Sequence, residues 1–168
     1  MRLRDLHRSD IDDVLRINAA NVPAVGTADA VLMESLLGMS CTALVAEVGG
    51  RCAGFCIVLP EGTPYGSPNY RFFADRLAEF RYVDRIAVDA VDRGRGIGAA
   101  LHREVAARHP SHPVALEVNV VPPNEGSMRF HLRQGFAEVD RLETRPGNVV
   151  SLMVRHPAAA HPNYPEQR

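Results

Sequence analysis

Residues 82–121 read YVDRIAVDAVDRGRGIGAALHREVAARHPSHPVALEVNVV, and the fold turns on how this stretch is parsed. Tyr82 to Val88 is a β-branched, apolar run of strand character. After Asp89-Ala90-Val91-Asp92, the segment Arg93-Gly94-Arg95-Gly96-Ile97-Gly98 opens a helix whose apolar residues Ile97, Leu101 and Val105 recur at every fourth position, and Pro110 stops it. Val114 to Val121 is a second, strongly apolar strand. Strand, helix and strand in this order make a parallel crossover unit. The glycine-rich first turn supplies free backbone N–H groups, the positive end of the helix dipole and no side chains to block close approach, which is the physical description of a phosphate site. Arg93 and Arg95 add charge that a pyrophosphate would meet.

Upstream of this unit, Met1 to Leu6 reads as a short strand, followed by an amphipathic helix carrying Ile11, Val14 and Leu15 and a second helix from Ala30 to Met39. Ala43 to Val48 and Arg51 to Leu59 are strands joined by Gly49-Gly50, a pair suited to the positive φ angles of a tight hairpin. Residues 60–81 break the pattern with Pro60, Gly62, Pro64, Gly66 and Pro68, then allow a short helix between Tyr70 and Phe80. Tyr65, Tyr70, Phe72, Phe73 and Phe80, with Tyr82, are six of the ten aromatic residues, so this segment is either a loop tied over the core or a wall of a substrate pocket. Downstream, Pro122-Pro123 breaks the chain, Asn124 caps a short helix with Met128, His131 and Leu132, and Gly135 ends it. Two further strands, Phe136 to Glu143 and Val149 to Arg155, flank Arg145-Pro146-Gly147-Asn148, a type II turn. Residues 1–155 are expected to form one domain and 156–168 a Pro-rich tail.

Composition narrows the function. The 168-residue chain is 46% hydrophobic and 23% charged with a formal net charge of -1, so no global basic field exists for nucleic acid or anionic lipid. No apolar run reaches membrane-helix length, and the charged N-terminus lacks the apolar stretch of a signal peptide, which makes the cytoplasm the expected compartment. All 19 cationic residues are Arg, which excludes a Lys nucleophile. Cys41, Cys52 and Cys56 lie in apolar strand-like runs and are read as buried free thiols. His7, His102, His109, His112, His156 and His161 show no ligand spacing and are read as surface residues or helix ends, so no metal is expected.

Two anion-binding families fit a glycine-rich turn between strand and helix. Gly94, Gly96 and Ala99 match a dinucleotide pattern with Glu117 downstream, but Asp89 to Asp92 separate the glycines from the strand end and Glu117 lies in mid-strand, where the ribose-binding acid does not sit. Arg93-Gly94-Arg95-Gly96-Ile97-Gly98 instead resembles the acyl-coenzyme A pyrophosphate motif of the GNAT superfamily of N-acetyltransferases. Asn124, then Ser127, Met128, Phe130 and His131, then Gly135-Phe136, is similar to that superfamily's second signature. The element order matches as well, over roughly residues 1–155. The resemblance implies an α/β (α+β) fold: a mixed, mostly antiparallel sheet of about six to seven strands flanked by about four helices, with one splayed parallel pair. It implies acetyl-CoA as co-substrate, its pantetheine arm against Ile86, Ala87 and Val88, its pyrophosphate on the amides of Arg93 to Gly98, and Asn124 contacting the pantetheine or fixing the strand opening. A homodimer is a common arrangement in that superfamily.

Transfer of an acetyl group needs a neutral amine, and an alkylamine of pKa 10.4 lies about three units, roughly 4 kcal/mol, on the wrong side of neutrality. Glu117, which interrupts an apolar strand, is the leading base; Asp84, expected on the same face as Tyr82 and Ile86, is the second. The superfamily's usual Tyr, which protonates the leaving thiolate, is replaced by His131, either a proton donor, a sulfur contact or a packing substitution. Tyr70, Phe72, Phe73 and Tyr82 are the candidate substrate-binding aromatics. The reaction expected is direct transfer to a primary amine of a small molecule; the alternatives are acetylation of protein N-termini and a non-catalytic acyl-CoA-binding module.

Overall fold

The structure is a computed structural model and describes residues 1–157. Seven strands form one sheet: β1 (Arg2–Asp5), β2 (Thr42–Val48), β3 (Arg51–Pro60), β4 (Arg81–Val88), β5 (Val114–Val121), β6 (Ala137–Arg145) and β7 (Asn148–Arg155). Their spatial order is β1-β2-β3-β4-β5-β7-β6. Only β4 and β5 run parallel; every other neighbouring pair is antiparallel. The helices are α1 (Ile11–Ala20), α2 (Ala30–Met39), α3 (Pro68–Ala74), α4 (Ile97–Arg108) and α5 (Glu125–Arg133). The hairpin at Gly49-Gly50 forms as its composition requires, with φ of 59° and 79°, and Gly135 closes α5 at φ 85°. The tail expected at 156–168, with His161, lies almost wholly outside the described residues.

The side-chain alternation of the central strands divides the core in two. Phe55, Ile57 and Leu59 of β3 face one side with Tyr82 and Ala115, beneath Val14 and Ile17 of α1, Met33 and Leu36 of α2, and Tyr70 and Phe73 of α3. Cys56 and Val58 face the other with Val83, Leu116 and Val118, beneath Ile97, Leu101 and Val105 of α4. Each such fully buried aliphatic or aromatic side chain contributes about 1.5–3 kcal/mol relative to exposure.

One irregularity shapes the centre of the sheet. β3 residues Ile57 and Val58 pair with Arg85 and Val83, so Asp84 is an extra residue on β4. The bulge corrects the simple alternation expected from sequence. Asp84 shares the face of Tyr82, but Ile86 crosses to the α4 side. Two other expectations are also revised. Cys41, just ahead of β2, is exposed, whereas Cys52 and Cys56 are buried. His102 of α4 is fully buried instead of lying at the surface, because the helix turn that carries it packs against Phe130 of α5 and Phe136.

Candidate active site

The turn before α4 is built to expose backbone donors. Gly94 and Gly96 adopt φ of 75° and 79°, in the left-handed region that favours glycine, and a Cβ at either position would meet nothing within 4 Å. The N–H groups of Gly94 to Ala99 have no backbone acceptor among the described residues, and the first bond of the helix runs from Ala100 N–H to Gly96 O. Fully buried Asp92 anchors the loop by accepting from Arg95 at 2.6 Å and pairing with Arg51 at 2.5 Å. Arg93 donates to Asn21 Oδ1 at 2.9 Å. The third glycine serves packing instead, since a Cβ on Gly98 would lie 2.9 Å from Phe130 Cζ and its bareness lets α5 approach α4.

Beside this turn the sheet opens. β4 and β5 pair only at Arg81–Val114 and Tyr82–Ala115, and the strands part beyond these positions. Asp89 N–H donates to Ala53 O at 2.9 Å, so by alternation the backbone groups of Ala87 and Asp89 face β3 while those of Ile86 and Val88 face the opening. An extended ligand can therefore pair with Ile86 and Val88 where a strand would otherwise lie. The α1–α2 connection crosses the open end: Asn21 donates to Val88 O at 3.3 Å and Asn119 of β5 donates to Pro23 O at 2.9 Å.

On the α1–α3 side, the first side chains beyond the paired positions are acidic. Glu117 accepts a 2.5 Å hydrogen bond from the Tyr82 hydroxyl. Burial pushes its carboxyl up to about 7; Tyr82 and the Asn69 amide draw it back, and Asp84 raises it further. Burial also raises Asp84, opposed by the Tyr65 hydroxyl and Arg85. Tyr82, itself raised by burial and by Glu117, stays protonated and donates. The site thus joins a carboxyl group that titrates near neutrality to a cleft that exposes strand backbone, an arrangement able to relieve an ammonium of its proton.

On the α4 side, the Nδ1 of buried His131 lies 2.9 Å from Ser127 O, and since a carbonyl only accepts, Nδ1 carries the proton. Its Nε2 is an acceptor without a partner among the described residues, and burial lowers the ring to about 4. His131 packs edge-on against His102 and Phe136. Asn124 caps α5 by accepting from Ser127 N–H at 3.2 Å, and a cleft lined by Asn119, Val120, Asn124 and Met128 runs beside it.

The aromatic segment divides its labour. Tyr70 and Phe73 belong to the core, and the Tyr70 hydroxyl donates to Pro60 O at 2.7 Å and accepts from Thr63 N–H at 2.9 Å, tying the loop down. Phe72 stacks under the Arg76 guanidinium at 3.7 Å. Of the four aromatics read from sequence, Tyr82 alone has a polar group on the acid cluster. Sequence reasoning gave Tyr65 only as one of the segment's aromatics, without its place beside Asp84, and it missed Asn69 and Asn119. Asn119 carried a signal, being a polar residue within an otherwise apolar strand; Asn69, in the first turn of α3, carried none.

The signature of the Acetyltransferase (GNAT) family matches residues 16–136. Among curated proteins, the L-2,4-diaminobutyric acid acetyltransferase of Nocardia farcinica (strain IFM 10152) is 38% identical over 90 residues, which cover 52% of this chain and only 39% of that protein. Among solved structures, Ard1 from Thermoplasma volcanium superposes with a TM-score of 0.75 at 21% identity, over 94% of this chain and 97% of that one. An aminoglycoside 6'-N-acetyltransferase complexed with coenzyme A gives a TM-score of 0.69 at 14% identity, over 93% of this chain and 97% of that one. At such identities the structural likeness speaks for the fold.

Proposed function

Because the chain belongs to the GNAT acetyltransferase family, we propose that it transfers the acetyl group of acetyl-CoA to a primary amine of a small molecule, with Glu117 as the base. The observation that carries this reading is the fork: two parallel strands that part after Tyr82 and Ala115, with a near-neutral carboxyl just inside. The open N–H groups from Gly94 to Gly98, with Arg93 and Arg95, fit a pyrophosphate. The backbone of Ile86 to Val88 fits a pantetheine arm, and a free N–H there would polarise the thioester carbonyl. The co-substrate supplies an activated acyl carbon.

The acceptor ammonium gives one proton to Glu117, which passes it to solvent. The neutral nitrogen then forms a bond to the acyl carbon, the carbon–sulfur bond breaks, and the second N–H proton leaves with the sulfur as thiol. His131 does not suit the role of proton donor: its one N–H is held by Ser127 O and its acceptor Nε2 stays unprotonated at neutral pH. We assign it to packing and sulfur contact, with Asn124 shaping the strand opening through its cap on α5. Asp84 serves the acceptor. Tyr70 and Phe73 hold the loop from beneath, and Phe72 flanks it.

The diaminobutyrate acetyltransferase relative supports a small amine as acceptor. Thiol release from acetyl-CoA across a panel of small primary amines and peptides, with calorimetry for coenzyme A binding, tests the reading. Turnover of small amines is expected. Turnover of peptides alone would move the acceptor to protein N-termini, and tight binding without turnover would make the chain an acyl-CoA-binding module.

A further inference from the structure

Transfer as written uses Glu117, gives Asp84 to the acceptor without saying what it holds, and leaves its neighbour Arg85 without a role. The bulge on β4 turns both Asp84 and Arg85 toward the α1–α3 side, where each side chain is only 6% exposed. Arg85 Nη1 is anchored on Asn18 Oδ1 at 2.8 Å and Gly26 O at 2.6 Å, which fixes the guanidinium. Arg85 Nε and Asp84 Oδ2 face each other as an ion pair at 3.4 Å, and among the described residues neither has a hydrogen-bond partner. A buried ion pair offsets its desolvation only when the remaining donor and acceptor positions are filled, and unfilled ones mark a missing partner. An open donor beside an open acceptor calls for a ligand bearing both a carboxylate and an ammonium. Asn69 Oδ1, in the first turn of α3, is a further buried acceptor without a partner among the described residues.

The fork sets the length of such a ligand. Asp84 and Glu117 each stand two residues beyond the last paired positions, Tyr82 and Ala115, and so lie at the same level on the two diverging strands. Parallel strands are about 4.8 Å apart where they pair and wider beyond, so a ligand that bridges the two acids needs a chain of at least a few carbon atoms.

We propose that Asp84 and Arg85 hold the α-ammonium and α-carboxylate of a short diamino acid and present its side-chain amine to Glu117. This rests on the acetyl-transfer reading and narrows its acceptor. The relative that acts on 2,4-diaminobutyrate supplies the natural probe.

The test uses the wild-type protein with 2,4-diaminobutyrate, with the diamine that lacks its carboxylate, and with the amino acid that lacks its α-amine. Each truncation removes one charge-assisted contact and is expected to lower kcat/KM about ten- to a hundredfold. Asp84→Asn is expected to raise KM for the diamino acid at least tenfold more than KM for the acid without the α-amine, a split that a purely structural role would not produce. Equal kcat/KM for all three compounds overturns the head-group site and leaves acetyl transfer standing. No thiol release with any amine overturns both.

Discussion

Replacing Glu117 with Gln separates a catalytic acid from a structural one, because the two predict opposite changes in stability. Gln retains an oxygen that accepts the Tyr82 hydroxyl hydrogen bond, so the packing at 2.5 Å survives. What changes is the charge. In the folded protein burial holds the carboxyl at about 7, against an ordinary value of 4.5. The folded state therefore binds this proton more tightly than the unfolded chain, and ionising Glu117 costs folding free energy. The penalty is absent below pH 4.5, grows as the pH rises through the interval to 7 and is complete above it. The difference corresponds to at most about 3 kcal/mol, which for a chain of this size is up to roughly 10 °C in Tm. At pH 8 Glu117→Gln is thus expected to melt higher than the wild type, with the gap closing near pH 4.5. Its kcat/KM is expected to fall about 10²–10⁴-fold, and the acid limb of the pH–rate profile, centred near 7 in the wild type, to vanish. Thermal scans across pH, paired with thiol-release kinetics, measure both. A variant destabilised at pH 8, or one that retains wild-type turnover with its acid limb intact, would refute the assignment of Glu117 as a buried base.

Three other substitutions probe the surroundings. Gly98→Ala places a methyl group 2.9 Å from Phe130 Cζ and is expected to lower Tm, with Phe130→Leu in the same chain restoring part of the loss; an unchanged Tm for the single variant would show that α4 and α5 do not need that contact. His102 is buried, without a hydrogen-bond partner on either nitrogen among the described residues, and held at about 3 by burial, so its contribution to stability is present above its ordinary 6.5 and is lost as the pH falls from there toward 3. His102→Leu is expected to raise stability at pH 7 by about 1 kcal/mol and to shift acid unfolding to lower pH, both read by denaturant titration. His131→Ala is expected to lower kcat more than it raises KM for acetyl-CoA while leaving the basic limb of the pH profile in place; disappearance of that limb would restore His131 as the proton donor.

The crossover at residues 82–121 was legible because its signals are local. A glycine-rich turn with two positive φ angles, a helix of four-residue periodicity and two apolar strands each announce themselves within a few residues. Glu117 was legible for the same reason, as a carboxylate in a run that is otherwise apolar. The surroundings that set its acidity were not, since burial and Asp84 raise it while Tyr82 and Asn69 draw it back, and these groups reach it from β4 and from the first turn of α3, positions that no spacing rule joins. His102 shows the opposite failure: an imidazole on a helix reads as a surface group unless the helix is known to be covered, and here α5 covers it.

The bulge at Asp84 explains why the acceptor side of the site was the least legible part. A sequence is read as a strand by strict alternation, and alternation sends Arg85 to the α4 face and Ile86 to the face of Tyr82. One extra residue reverses both assignments from that point to the strand end. It also places two opposite charges side by side on a face that is otherwise aromatic and aliphatic, at the level where β5 has begun to leave. Regular pairing with β3 has no need of such a pair, and an apolar residue at Arg85 would satisfy the core at lower desolvation cost. Arg85 Nη1 holds Asn18 and Gly26 O, and on the proposed reading its Nε and Asp84 serve the ligand side of the fork, which is why the residues that distinguish one acceptor from another are sought at Asp84 and Arg85 rather than at the aromatic side chains that first draw attention.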